Sequence, residues 1–369
     1  MLKDPRIENL AKTIINYSVD MKPQETVLIN ASIKAKPLII ELIKQIRRQG
    51  GNAIVDMYDD DVNRELLFSI TEKDLDRRYR WLDRNLDDID CIVHIRAQES
   101  DYTTQDVPTN TKLALAKKMN PLSKKRLQKK WVLLNYPTEG AAHKAKMSHE
   151  AFFDYSIDVS TVDYQKMNDA FEPLRKLMER TNKVRITGSN TDLTFSIKGM
   201  KAIPCAGNYN IPDGEIFTAP VRNSVNGTIT YNTPSPQRGT VFTNVSLTFK
   251  DGQIVEFKAD QDLELLASIF DTDEGARYVG EFAIGVNPLI TKPMGDILFD
   301  EKIAGSIHFT PGRCYDEAPN GNDSAIHWDL VLIQTEAFGG GDIYFDDVLI
   351  RHNGRFMIPE LEGLNPENL

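Results

Sequence analysis

Glu25-Thr-Val-Leu-Ile-Asn30, Lys36 to Arg48, Gly50-Gly51 and Asn52-Ala-Ile-Val-Asp-Met57 follow one another in the chain. The first and last are short apolar runs of the kind that form buried strands. Lys36 to Arg48 carries apolar residues at helical spacing, and the two glycines stop it. Strand, helix and strand in this order describe a parallel sheet flanked by helices.

The pattern continues on both sides. Asp4 to Val19, Asp61 to Ile70 and Asn110 to Met119 have helical spacing, and Thr71-Glu-Lys-Asp74 fits a helix cap. Cys91-Ile-Val-His-Ile95 and Trp131-Val-Leu-Leu-Asn135 are further apolar strands. The turn after the first strand, Asn30-Ala-Ser-Ile-Lys34, has no glycine, and neither nucleotide-binding glycine motif occurs. The acids Asp59-Asp60-Asp61 suit a helix N-terminus. Met167 to Arg180 is a long helix closed by Thr181-Asn-Lys183, and beyond it the pattern changes. Val184 to Gly188, Asp192 to Ile197, Gly227 to Tyr231, Val245 to Phe249 and Gln253 to Phe257 alternate polar and apolar residues, and Asp251-Gly252 marks a hairpin. One helix, Gln261 to Phe270, interrupts them, and Gly339-Gly-Gly-Asp342 reads as a tight hairpin turn. The expected fold class is therefore α/β plus α+β. An N-terminal parallel-sheet α/β domain would span residues 1–180, and a mixed, largely antiparallel, β-rich C-terminal domain residues 181–369.

A length of 369 residues fits two domains, and 41% hydrophobic with 27% charged residues is a globular composition. The net charge of −10 argues against a nucleic-acid partner. The basic run Lys117 to Lys130 reads as a solvated helix and loop. No apolar run approaches the length needed to span a membrane. The N-terminus reads as an amphipathic helix without a cleavable leader, so a cytoplasmic protein is expected. Cys91, Cys205 and Cys314 are widely spaced and read as free thiols.

The chemistry-bearing residues lie in the second half. His308-Phe-Thr-Pro-Gly-Arg-Cys-Tyr315 precedes His327-Trp-Asp329. On a strand, His327 and Asp329 would share a face, placing nitrogen and oxygen donors together, a set suited to zinc, cobalt or manganese. Glu215 sits where Asp213-Gly turns into a strand-like run, and Glu281 lies between apolar residues of Val279 to Gly285. Such a glutamate is costly unless paired or bound to metal. Taken singly, either histidine also reads as structural, Glu215 as a turn acid and Tyr315 as packing. No His-Glu-x-x-His is present. Together the six exceed the ligands of one catalytic ion and suit a two-metal site.

The ordered set of Glu215, Glu281, His308, Tyr315, His327 and Asp329, with Trp131 to Thr138, Met147-Ser148, Gly214 to Pro220 and Ser224 to Thr228, resembles the metallo-aminopeptidases of the M29 family. The resemblance implies an α/β N-terminal domain, a C-terminal catalytic domain, and a homodimer whose site the partner subunit partly encloses. It implies that those six residues match the family's metal-site positions. It implies two divalent ions (zinc, cobalt, manganese or magnesium) and removal of N-terminal residues from short peptides with a free N-terminus. Glu281 is the expected bridge, Glu301 a further ligand or a neighbour of one, and Glu215 and Tyr315 the expected catalytic side chains. The alternatives are a metal-dependent amidase on a non-peptide substrate and a non-catalytic peptide-binding relative. The chain departs from many relatives in reading Thr310-Pro-Gly312 where they have Ala-Leu-Gly, and in a short segment between Tyr315 and His327.

Overall fold

The computed structural model describes residues 4–369, which form two compact units: residues up to 161 together with 207–212, and residues 162–206 with 213–369. In chain order the first holds α1 (Pro5–Thr13), β1 (Thr26–Ser32), α2 (Lys36–Arg48), β2 (Asn52–Tyr58), α3 (Asp60–Phe68) and α4 (Glu72–Asp87). It continues with β3 (Cys91–Arg96), α5 (Thr109–Leu127), β4 (Lys130–Asn135), α6 (Glu139–Lys144) and α7 (His149–Ser160). Asp59 caps α3 by accepting from Asp61 and Val62 N–H, and Thr71 with Asp74 forms the capping box of α4. The basic run lies largely in α5, which continues through Pro121 beyond the expected end at Met119. Its charges are not merely solvated: Lys118 pairs with Asp76, and Lys125 with Asp83 and Asp87, all from α4.

Beyond α8 (Tyr164–Arg180) come β5 (Lys183–Gly188), β6 (Thr191–Ser196), β7 (Ile203–Cys205), β8 (Asn210–Ile211) and β9 (Glu215–Thr218). Then follow β10 (Asn226–Thr230), β11 (Ser235–Gln237), β12 (Thr240–Phe242), β13 (Ser246–Lys250), β14 (Gln253–Lys258) and α9 (Leu263–Phe270). The chain ends with β15 (Val279–Gly285), α10 (Ile297–Asp300), β16 (Ser306–Pro311), β17 (Val331–Ile333), β18 (Gly341–Phe345), β19 (Val348–His352) and β20 (Arg355–Phe356). The first unit's sheet runs β2-β1-β3-β4-β8, all parallel, as the strand–helix alternation requires. Its fifth strand, β8, is why residues 207–212 belong to this unit: backbone pairing with β4 claims a segment that lies beyond residue 180. The expected boundary at 180 falls at the end of α8, a helix grouped with the second unit.

The second unit is antiparallel, as expected. One sheet runs β14-β13-β10-β6-β5-β18-β19-β20, and another β17-β16-β15-β9-β7. Asp251 and Gly252 both take positive φ and close the β13–β14 hairpin. The Gly339–Gly341 turn ends a 3-10 turn and feeds β18, so it links the two sheets instead of closing a hairpin between neighbouring strands. The smaller sheet has two unlike faces. On one, Phe282 and Phe309 pack against Phe195 of β6 at ring-centroid distances of 5.0 Å. The other carries Glu215, Glu281 and His308.

Candidate metal centre

Register places these side chains together. Residues two apart on a strand share a face, and Ala283 of β15 lies opposite both Phe217 of β9 and His308 of β16, while Gly285 lies opposite Glu215. Glu215, Phe217, Glu281, Ala283 and His308 thus project from one face. The small side chains at 283 and 285 leave room between the charged ones. Between Val279 and Glu281 the register slips, leaving Gly280 as a bulge. Bulges re-aim neighbouring side chains, and a Cβ at Gly280 would stand 2.3 Å from the Arg313 carbonyl oxygen.

His327 and Asp329 project into the same cluster, although their segment is not a regular strand. Only an isolated bridge joins His327 to Gly312, and β17 begins at Val331. Backbone bonds from Arg313 N–H to Ile326 and from Trp328 N–H to Pro311 hold the segment extended beside the end of β16. Gly312 permits that approach with φ near 108°, and its Cβ would sit 2.1 Å from the Ile326 carbonyl oxygen.

Glu281 joins two donor groups. Its Oε1 lies 3.3 Å from His308 Nε2, whose other carboxylate neighbour is Glu215 Oε2 at 3.4 Å. Its Oε2 lies 3.1 Å from His327 Nε2, which is 3.2 Å from Asp329 Oδ1. Glu215, Glu281 and His308 form one group able to hold an ion, Glu281, His327 and Asp329 a second, and Glu301, His308 and Asp329 a third. The orienting contacts are also present. His327 Nδ1–H donates to the Arg313 carbonyl at 2.7 Å, which leaves Nε2 as a lone-pair donor. Thr310 Oγ1 donates to Asp329 Oδ1 at 2.8 Å. Glu215 Oε2, His308 Nδ1 and His327 Nε2 are buried without a hydrogen-bond partner among the described residues. Orphaned acceptors beside clustered carboxylates fit a bound cation.

The titration directions agree. Burial alone would lower the His308 pKa, but Glu215 and then Glu281 outweigh it and raise it to about 10. His327 is likewise driven upward by Asp329 and Glu281 against burial. Burial raises Glu301 to about 8, against the opposing charge of Lys302. Both histidines are thus held protonated by the carboxylates that crowd them, which shows how much negative charge is gathered here.

Tyr315 stands at the open side. Its ring lies 4.7 Å from that of His327 and 5.4 Å from that of Phe217, and the residue is 46% exposed. The protein around the phenol, then the charges of Glu281 and Asp329, raise its pKa, so it keeps its proton. A cavity of about 150 Å³ adjoins His327 and Asp329 and is walled by Pro234, Pro236, Ile297 and Trp328.

All six expected residues therefore meet at one place, with Glu301 beside them. Three further residues that their sequence context does not mark as functional join the cluster. Lys302 is fully buried, with Nζ 2.8 Å from Glu301 Oε1, 3.5 Å from Asp213 Oδ1 and in contact with Glu215 Oε1. Asp213 is fully buried as well, and Thr310 orients Asp329. Lys302 has only its adjacency to Glu301 as a sequence signal, Asp213 its place in the turn before Glu215, and Thr310 its place in the Thr310-Pro-Gly312 departure.

Comparisons with known proteins point the same way. The family model of the thermophilic metalloproteases (M29) matches residues 3–356. Aminopeptidase 2 of Geobacillus stearothermophilus is 24% identical over an alignment of 400 residues, covering 94% of each chain. Aminopeptidase T of Thermus thermophilus is 24% identical over 404 residues, covering 95% of this chain and 98% of its own. The structure of wild-type AmpT from Thermus thermophilus shares the fold with a TM-score of 0.82 at 22% identity, over 96% of this chain and 99% of that one.

Proposed function

The chain belongs to the thermophilic metalloprotease family M29, and from that premise we propose that it is an aminopeptidase that uses two divalent ions, shared through Glu281, to release N-terminal residues from short peptides. The observation that carries this reading is the division of Glu281: one oxygen faces His308 and Glu215, the other His327 and Asp329. Charge supports it. Asp213, Glu215, Glu281, Glu301 and Asp329 are five carboxylates against the single ammonium of Lys302.

Ions held there would activate a water, polarise the scissile carbonyl and anchor the free amine. Thr310 holds Asp329 in place, and the Arg313 carbonyl fixes the His327 tautomer. Tyr315, protonated and beside His327, is placed to donate to a developing oxyanion, a contact worth about 3 kcal/mol. Glu301 suits the proton shuttle better than Glu215. Lys302 occupies Oε1 of Glu215 and an ion would take Oε2, whereas burial of Glu301 favours its protonated form, so that carboxyl can hold a proton for the leaving amine. The cavity beside His327 would take the side chain of the substrate's first residue.

Family membership also supports a homodimer, and zinc, cobalt, manganese or magnesium as the ions. Three free cysteines, and no helix among the described residues long and apolar enough to cross a membrane, are consistent with a cytoplasmic enzyme. The test is hydrolysis of leucine p-nitroanilide and of its N-acetylated form, before chelation, after verified metal removal and after zinc or cobalt is restored. Only the free-amine substrate should be cleaved, and only with metal. Cleavage of the blocked substrate at a similar rate would instead indicate a general amidase.

A further inference from the structure

Lys302 is the one fully buried lysine among the described residues, and it lies behind the metal cluster, not in it. An ammonium removed from water this completely is costly unless charges and hydrogen bonds surround it. Here Asp213, Glu215 and Glu301 surround it. Its backbone is clamped too: its N–H donates to the Phe299 carbonyl at 3.0 Å, and its carbonyl accepts from Asn287 N–H at 2.9 Å. Asn287 Nδ2 in turn donates to the Asp213 carbonyl at 2.8 Å. One asparagine therefore ties the lysine to the turn that launches Glu215. A side chain at Gly214 would meet Asn287 at 3.0 Å, so the turn and its clamp are packed without slack.

The two oxygens of Glu215 have different fates. Oε1 is engaged by Lys302, and Oε2 is buried, has no hydrogen-bond partner among the described residues and lies 3.4 Å from His308 Nε2. We propose that Lys302 is a positioning residue: by holding Oε1 of Glu215 it leaves only Oε2 for an ion beside His308, and by offsetting one carboxylate charge it fixes how much cationic charge the centre accepts. Without the lysine, Glu215 is free to turn or to offer both oxygens, and Asp213 and Glu301 lose their common counter-charge. Lys302 thus acts through Glu215 and touches neither substrate nor ion. Its effect should fall on the Glu215–Glu281–His308 group more than on the Glu281–His327–Asp329 group, whose orienting contacts come from Thr310 and Arg313.

The inference rests on the two-ion reading above, and the test separates the two. Chelator-treated full-length wild type and Lys302→Met are titrated with zinc against a chromophoric chelator, with folding checked by circular dichroism. Wild type is expected to bind in two steps, and the variant to keep one step while the other weakens roughly 10- to 100-fold, the usual effect of losing an orienting partner. Two steps with unchanged affinities in the variant would overturn the role of Lys302. Failure of wild type to bind zinc would instead overturn the two-ion reading. Should Lys302→Met not fold, the structure of cobalt-loaded wild type decides. Glu215 bound through one oxygen, with Lys302 on the other, supports the assignment, and a bidentate Glu215 refutes it.

Discussion

Replacing Thr310 by valine removes one hydroxyl and nearly nothing else. Thr310 is fully buried, and its Oγ1 donates to Asp329 Oδ1 at 2.8 Å. Valine preserves the shape, so the change isolates the hydrogen bond and leaves no cavity. Two routes give its size. A hydrogen bond to a charged group contributes about 1.5–3 kcal/mol. Loss of an orienting partner to a metal ligand costs roughly 10- to 100-fold in affinity, which is about 1.4–2.8 kcal/mol at a factor of ten per 1.4 kcal/mol. The agreement supports a zinc affinity of the Glu281–His327–Asp329 group about 10- to 100-fold weaker in Thr310→Val. Thr310→Ser, which keeps the hydroxyl, should stay within a few-fold of wild type. The assay is competition with a chromophoric chelator at neutral pH, with thermal melting of the metal-free proteins to exclude a folding defect. Unchanged affinity in a folded Thr310→Val protein would show that Asp329 is not a ligand, or is held by something other than this contact.

Metal-free protein should lose stability as pH rises. His308 is raised to about 10 in the folded chain, so its contribution is complete below its ordinary value and fades as pH climbs through that window. Glu301, raised to about 8 by burial, acts in the same direction because its ionised form is the disfavoured one. The melting temperature should therefore fall from neutral pH towards pH 10, while zinc affinity rises as fewer protons must be displaced. A melting temperature that rises with pH would contradict the assignment. Glu281→Gln should weaken both metal-binding steps, since both groups share this side chain; retention of either step at wild-type affinity would place the bridge elsewhere. Gly280→Val should abolish activity or folding, because its Cβ would stand 2.3 Å from the Arg313 carbonyl; an active, stable variant would show that the bulge does not set the position of Glu281.

What the sequence shows and hides has physical reasons. Strand and helix positions in the first half follow from local apolar spacing: α2 occupies Lys36–Arg48 as expected, and β2 begins at Asn52. β8 has two residues and no periodicity, so only its pairing with β4 reveals it. His327-x-Asp329 shares a side as alternation demands, although the segment gains its extended form from bonds to β16 and not from a regular ladder. Ligand types stand out because histidines are few and a glutamate in an apolar strand is conspicuous. Lys302 does not, since Glu301-Lys302 reads like an ordinary surface pair until burial is known. Thr310 is similarly silent, because a hydroxyl's partner lies across the fold at Asp329.

Glu281 is proposed to divide its oxygens between two ions. Anomalous diffraction from crystals soaked in zinc tests it directly. Two peaks about 3.5–4 Å apart are expected, one between Glu215 and His308 and the other between His327 and Asp329, with Glu281 touching both. A single peak, or two peaks that Glu281 does not join, would contradict it.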